Sequence, residues 1–538
     1  MSKGGIIEKK EVAAMNRTLF VNGPILTMES PVPTDALLVE DGRIMALGTD
    51  ALNATGATKV DLHGDALLPA FVDPHSHLSA AANSLLQVPL GEVSDFAQLE
   101  EAVASFIRDN HIPAGQWVFG QGYDHNHLTE HAHPTRELLD KAAPNNPVVI
   151  QHASGHMGVF NSAALHQLFL TGSTPDPEGG TFGRNGGELT GYAEENAFVN
   201  NLRKAPMPGF DQLKDAFARA QHTYAAHGIT TAQEGMMAAE LFPLYQGLVA
   251  QNALTLDVVG YPGVADLHAA RVAFPDCMNG YHNGLRLGGV KIFLDGSPQG
   301  RTAWLRTPYQ GESEYRGYPT MTDEQVEQAL TLAAQEGVQI LAHCNGDAAA
   351  QQYLDMGAKV MQSHPNLRDV RPVIIHAQLI GVDQLPQAKA LGFTPSFFVA
   401  HVYHWGDIHL QNLGAMRAAA ISPAKAALDL GMPFTFHQDT PVIPCDMLET
   451  VWCAVNRVTK NGVQLGPEQR IPVYEALKAV TVHAAWQYGE EQEKGSLAVG
   501  KQANLVRLSA NPLEVRPENL REVSVVSTWK QGEMLYQG

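Results

Sequence analysis

Two histidines one residue apart close the segment Ala66-Leu-Leu-Pro-Ala-Phe-Val-Asp-Pro-His-Ser-His77. Residues two apart on a strand point to the same face, so His75 and His77 can bring two imidazoles to one point. An apolar strand ending in two such nitrogen donors supplies half of a metal site. Alone the pair is weak evidence in a chain with 23 histidines. Further apolar runs end in donors of the same kind: Gln339-Ile-Leu-Ala-His343, Pro372-Val-Ile-Ile-His376 and Phe434-Thr-Phe-His-Gln-Asp439. Lys291 lies inside another, Leu287-Gly-Gly-Val-Lys-Ile-Phe-Leu-Asp-Gly-Ser. Each has a bland explanation, since a lone strand-end histidine is more often structural and Asp439 before Thr-Pro can cap a helix or form a turn. Their joint placement on one rim is hard to reach by chance. Zinc accepts neutral imidazole and carboxylate oxygen, and a catalytic zinc keeps one position for water. Bound water then ionises near pH 7 instead of about 16, and a carbonyl is polarised. Cys344 beside His343 leaves thiol catalysis as a minor alternative.

These donors need a scaffold that gathers strand ends. Eight apolar runs alternate with helical stretches: about Leu67–Val72, Ile229–Gln233, Leu254–Gly260, Leu287–Leu294, Val338–Ala342, Pro372–Ile375, Gly392–Phe398 and Pro433–Phe436. Asp323–Glu336 and Ala415–Leu430 are two of the helices between them. The alternation predicts an α/β fold with a (β/α)8 barrel, whose active site lies at the carboxyl ends of the strands. The ends of the chain read as short strands with turns, Asp41-Gly42 being a hairpin signal. Neither end can form a core alone, so residues 1–68 and 488–538 are expected to combine in a small β-sandwich around a barrel of residues 69–487. A Gly- and Pro-rich stretch at about 80–204 is expected to be an insertion folding over the barrel mouth, and residues 1–15 a loose tail.

With 538 residues, 44% apolar and 17% charged, the chain is expected to be a soluble globular protein of two domains, one of them large. Its charge of −20 argues against nucleic acid, whose binders need a basic face. No apolar run is long enough for a bilayer, and the first residues lack a secretory signal's apolar centre. Four cysteines without CxxC spacing suit a reducing compartment. The expectation is a cytoplasmic protein acting on a small molecule, with a homodimer as the default assembly.

The order of donors resembles the amidohydrolase superfamily of metal-dependent hydrolases. The finer wording is similar to its amidohydrolase-3 (YtcJ-like) branch, which includes N-substituted formamide deformylases. The motifs are Pro69-Ala-Phe-Val-Asp-Pro-His-Ser-His-Leu, Ser154-Gly-His-Met-Gly-Val-Phe-Asn-Ser-Ala-Ala-Leu165, Val290-Lys-Ile-Phe-Leu-Asp-Gly-Ser297, His343-Cys-Asn-Gly-Asp-Ala-Ala349, Ile375-His-Ala-Gln378, Asp439-Thr-Pro-Val442 and Gly495-Ser-Leu-Ala-Val-Gly-Lys-Gln-Ala-Asn-Leu-Val506. The resemblance implies one or two divalent metals, usually zinc. It also implies carbamylation of Lys291 to an anionic two-oxygen bridge, because an ammonium offers a metal no lone pair. The alternative is an unmodified Lys291 paired with Asp295 or Asp439. With the carbamate, His75, His77 and Asp439 would hold the more buried ion and His343 and His376 the more exposed one. Asp439 would take the proton of the attacking water and pass it to the leaving nitrogen.

Loop residues form a second tier of candidate substrate contacts. His156, with Asn161, lies in a stretch resembling the family's substrate-side loop, structural bonding being an equal explanation. Arg301 can clamp a carboxylate or form an ion pair. Tyr123 and Asp124 can line the pocket, and His401 and His404 can shape its aromatic side. Two departures from the family pattern fall near the pocket: His437-Gln438 replaces a usual Gly-Ser, and Pro-Gln-Gly-Arg follows Ser297 where Leu-Gly-Ser-Arg is common. The expected reaction is hydrolysis of a non-peptide C–N bond, an amide or N-formyl group. The alternatives are a cyclic amide, a carbamate or ester, deamination, or an inactive binding or regulatory homologue.

Overall fold

The computed structural model describes residues 17–206 and 208–538, so the tail expected over residues 1–15 lies outside the described residues. The described residues fall into two compact units, one of residues 17–78 and 221–538 and the other within residues 79–220.

In the larger unit, strands from both ends of the chain share one eight-stranded sheet. Its order is Glu533–Gln537, Val525–Lys530, Leu505–Leu508, Ala66–Pro69, Arg17–Ile25, Thr34–Glu40 and Arg43–Leu47, with Thr58–Asp61 beside Arg17–Ile25. Asp41 and Gly42 turn the hairpin with φ of 47° and 79°, the left-handed pair that matches strand twist. Phe20, Leu37, Val39, Ile44, Leu67, Leu505 and Trp529 form its buried cluster. The sequence predicts two facing sheets, whereas hydrogen bonding runs through one. The cause is the long strand Arg17–Ile25, which shifts register after Val21 and gives Thr58–Asp61 and Leu67 to its two halves.

Beyond it lie two parallel sheets. The first contains β1 (Phe71–Val72), β2 (Ile229–Glu234), β3 (Asp257–Gly260) and β4 (Leu285–Leu287). The second contains β5 (Gly289–Phe293), β6 (Gln339–Cys344), β7 (Val373–His376), β8 (Thr394–Phe397) and β9 (Thr435–Phe436), in chain order. Every residue of β2, β3, β7 and β8 is buried, as expected for parallel strands covered on both faces. At one edge the Lys291 N–H donates to the Pro262 carbonyl, and at the other the His77 N–H donates to that of Thr440, both at 2.9 Å. A Cβ on Gly289 would lie 1.9 Å from the Gln339 carbonyl oxygen, so β5 meets β6 only through glycine.

Three expectations need correction. The run Leu287–Leu294 is divided, since Leu287 ends β4 and Gly289–Phe293 is β5 of the other sheet. The run Leu67–Val72 is divided: Ala66–Pro69 pairs antiparallel with Leu505–Leu508, and only Phe71–Val72 pairs with β2. All its residues are apolar and buried, so periodicity carried no sign of the break. The helix predicted over Ala415–Leu430 is two, Ala415–Ala419 and Ala424–Asp429. Pro423 removes a donor and disfavours helical backbone at Ser422, whose φ is 46°. Asp323–Glu336 is a helix over those limits, with a capping box at Thr322 and a left-handed Gly337 after it.

Residues Ser79–Ala220 occupy the region read as an insertion. Their six-stranded sheet has the order Gly180–Asn185, Glu188–Glu195, Met157–Phe160, Val148–His152, Val118–Tyr123 and Gln87–Pro89. Two clusters of its own support it, one around Leu90, Val118 and Ile150, the other around Phe160, Phe182 and Phe198. Among the described residues no helix is long and apolar enough to cross a membrane.

Candidate metal centre

The carboxyl ends of β1, β5, β6, β7 and β9 deliver His75, His77, Lys291, His343, His376 and Asp439 to one place. The Nε2 atoms of His75 and His77 each stand 3.3 Å from Asp439 Oδ1. His376 Nε2 lies 3.9 Å from Asp439 Oδ2 and 3.1 Å from His343 Nδ1. Donor atoms of His75, His376 and Asp439 all fall within 4.8 Å of one another. His376 and Asp439 reach this place with φ of 71° and 55°. Such backbone costs roughly 1–3 kcal/mol per residue and is held in place by the surrounding structure.

Neighbouring groups fix which ring nitrogen faces inward. Gln233 Nε2 donates to the Pro74 carbonyl at 2.8 Å, so its Oε1 is the atom 2.6 Å from His75 Nδ1. His75 therefore carries its proton on Nδ1 and turns the Nε2 lone pair toward Asp439. On the other side His343 Nε2 donates to the Gly296 carbonyl at 3.1 Å, which frees Nδ1. Metal-bound histidines are usually oriented in this way by an outer oxygen. Burial drives the imidazoles of His75 and His376 well below their ordinary range, and that of His343 to about 4, so all three are neutral near pH 7. Burial pushes the Asp439 carboxyl up, but His77, His376 and His75 overcome it and hold the group well below its usual value.

These residues fit a divalent metal. Asp439 Oδ1 is buried and crowded by two imidazole nitrogens, yet forms no hydrogen bond. Imidazole nitrogens gathered around a buried carboxylate oxygen are an arrangement that a cation satisfies, and neutral imidazole with carboxylate is zinc's donor set.

Lys291 is 2% exposed, its Nζ 3.3 Å from His75 Nε2. Among the described residues no carboxylate forms an ion pair with it, so the alternative of a bridge to Asp295 or Asp439 is not formed. Asp295 is engaged elsewhere, accepting backbone N–H bonds from Asn345, Gly346 and Trp304 at 2.7–2.9 Å. Burial lowers the Lys291 ammonium to about 7 against the opposing pull of Asp439.

The second-tier residues are spread more widely. Arg301 pairs with Glu312 at 2.7 Å and lies over the Tyr309 ring, the structural of its two readings. His401 is buried with Nδ1 3.1 Å from His409 Nε2, and His404 Nε2 lies 2.8 Å from Glu449. Tyr123, Asp124 and His156 belong to the smaller unit. Tyr123 bonds His133 at 3.1 Å, Asp124 accepts the Asn126 N–H at 2.9 Å, and the exposed His156 ring meets Glu195 at 3.1 Å. Asn161 caps the helix Ser162–Gln167.

Two neighbours of the centre escaped the sequence reading as partners. His437 Nε2 lies 3.1 Å from His376 Nδ1, and its Nδ1 lies 2.9 Å from the Ser396 hydroxyl. Gln233 has the role given above. Both offered a signal: each is a polar residue at the end of an apolar run, as the metal-capable residues are.

A family model described as the amidohydrolase family matches residues 58–536. The N-substituted formamide deformylase of Arthrobacter pascens is 28% identical, the match covering 97% of this chain and 99% of that one. A Bacillus subtilis (strain 168) protein named as amidohydrolase YtcJ is 26% identical with the same coverage. Among solved structures, an uncharacterized metal-dependent hydrolase from Pyrococcus furiosus superposes with a TM-score of 0.74 at 25% identity, covering 93% of this chain and all of the other.

Proposed function

The chain belongs to the amidohydrolase family, and from that premise we propose that it hydrolyses a non-peptide C–N bond, an amide or N-formyl group, of a small molecule with the help of a divalent metal. The observation that carries this reading is the buried Asp439 Oδ1 held 3.3 Å from the Nε2 atoms of both His75 and His77. The similar Arthrobacter deformylase makes N-substituted formamides the first substrates to try.

In this reading the two parallel sheets close into one (β/α)8 barrel, supported by the links Lys291 to Pro262 and His77 to Thr440 at their edges. The terminal sheet folds over its core as a sandwich, dividing the chain at about residues 68 and 488. Tyr123, Asp124, His156, Arg301, His401 and His404 remain candidates for substrate contact.

His75, His77 and Asp439 would hold one ion, most simply zinc, and His343 and His376 a second. When bound, the metal polarises a carbonyl and brings the pKa of water from about 16 toward about 7. Lys291 would be carbamylated: its neutral amine adds CO2 and releases a proton, giving the anion that five neighbouring ligands and no carboxylate partner call for. Asp439 accepts the proton of the attacking water and delivers it to the departing nitrogen. Gln233 and the Gly296 carbonyl keep His75 and His343 in the required tautomers, and His437 steadies His376.

The test is hydrolysis of a panel of N-substituted formamides and amides before and after chelation and after zinc is restored. Loss and recovery of turnover support the reading, and turnover indifferent to chelation refutes it. The mass of the peptide containing Lys291 reports the carbamate separately.

A further inference from the structure

Histidines crowd one part of the smaller unit. His125, His127, His131, His133, His152 and His156 are six of the chain's 23. Three donors of this region, Asp124, His125 and His152, come together at the end of the strands Val118–Tyr123 and Val148–His152. We propose that Asp124, His125 and His152 form a further divalent-metal site of the zinc type, built within the smaller unit.

The spacing supports it. His125 Nδ1 lies 3.2 Å from His152 Nε2, His152 Nε2 lies 3.4 Å from Asp124 Oδ1, and His125 Nδ1 lies 3.8 Å from the same oxygen. A tetrahedral zinc with ligands at about 2.0–2.2 Å requires them to be roughly 3.3–3.6 Å apart. Two imidazoles and one carboxylate are a borderline donor set, suited to zinc rather than to calcium or magnesium. An ion on Nε2 would leave that ring's proton on Nδ1, 3.0 Å from the Ser154 hydroxyl, in place of the Ser154 backbone N–H bond that Nδ1 accepts in this structure. The His133 ring packs on His125 with centroids 4.1 Å apart, and its Nδ1 bonds the buried Tyr123 hydroxyl. There is room for a fourth ligand, because the side chains of Asp124 and His125 are 25% and 29% exposed and His152 lines a cavity of about 340 Å³.

A hydrogen-bonded chain is the competing arrangement. The Ser154 backbone N–H also points at His152 Nδ1, at 3.0 Å. Donation there puts the ring proton on Nε2, facing His125 Nδ1 and Asp124 Oδ1 together. One proton then serves two acceptors, whereas a cation satisfies all three atoms. The ion would pin the loop carrying Asp124 and His125 to the strand that ends in His152.

Equilibrium dialysis of the full-length protein against buffered free zinc separates the two. Wild type should show a binding step of one zinc per chain beyond those of the first centre, and its midpoint should lie at higher free zinc in His125→Gln. That step should weaken at least 10-fold, since loss of an outer partner alone costs about 10–100-fold. Ser154→Ala, which keeps all three donors, should weaken the same step by about 10–100-fold. It serves as the second probe should His125→Gln fold poorly by circular dichroism. Identical zinc isotherms for wild type and both variants would overturn the proposal.

Discussion

The two His/Asp clusters use the same donor chemistry in different settings. In the larger unit the donors end parallel strands. His75 and His376 are 0% and 3% exposed, and two of the rings are oriented by outer oxygens. In the smaller unit two of three donors sit at the start of a loop and are about a quarter exposed. Burial explains the difference in what each can do. Desolvated imidazoles cannot hold a proton near neutral pH, and a desolvated carboxylate without a hydrogen bond is costly unless a cation meets it. The first cluster thus suits the hydrolytic role proposed for it, and the second the loop-holding role proposed for it.

The largest expected effect is at the first cluster. Asp439→Asn removes both an anionic ligand and the proton carrier, and should lower turnover by about 10³-fold or more while leaving the circular dichroism spectrum intact. A variant retaining most of its activity would erase the contrast between the clusters.

The larger unit also buries charge away from the centre. Asp257 is 4% exposed and meets Lys494 at 2.5 Å and Lys530 at 2.7 Å, and Lys494 meets Glu490 at 3.0 Å. Asp257→Ala should cost about 3–5 kcal/mol in denaturant unfolding, because Lys494 loses a buried partner. Burial raises the Asp257 carboxyl, but Lys494 and Lys530 bring it below its ordinary value. The stability it contributes is therefore complete above about pH 4 and disappears as pH falls through the lowered value. The melting temperature of wild type should drop more steeply with acid there than that of Asp257→Ala. Parallel acid profiles would show that the pair carries no such linkage.

Gln233→Ala sharpens the comparison at intermediate size. It leaves every proposed ligand in place but releases His75 from its tautomer, and zinc affinity at the first cluster should fall about 10–100-fold in competition with a chelating dye. Unchanged affinity would mean that strand packing alone orients the ring. The smallest effect belongs to the second region. Tyr123→Phe removes one hydrogen bond to His133 and should cost about 0.5–1.5 kcal/mol in thermal unfolding of the smaller unit.

Much of the fold was legible because its signals are local. The strand runs Ile229–Gln233, Val338–Ala342, Pro372–Ile375 and Gly392–Phe398, the Asp41-Gly42 turn and the helix Asp323–Glu336 follow from alternation, turn residues and caps. The break within Leu67–Val72 was not, since a wholly apolar buried run looks the same whichever sheet it joins. At the centre, ligand types at strand ends could be read from sequence, but the partners orienting them could not. Gln233 reaches His75 across 158 positions of sequence, and His437 was noted only as a departure from a motif. In the second region Asp124 and His125 are adjacent in sequence, while His152 lies on another strand, so the cluster exists only once the sheet pairs Tyr123 with His152.

Anomalous diffraction at the zinc edge from crystals of the zinc-loaded protein tests the central claim most directly. The account predicts a peak at about 2.0–2.2 Å from donor atoms of His75, His77 and Asp439. No peak there, with these side chains hydrogen-bonded to one another or to water instead, would contradict it.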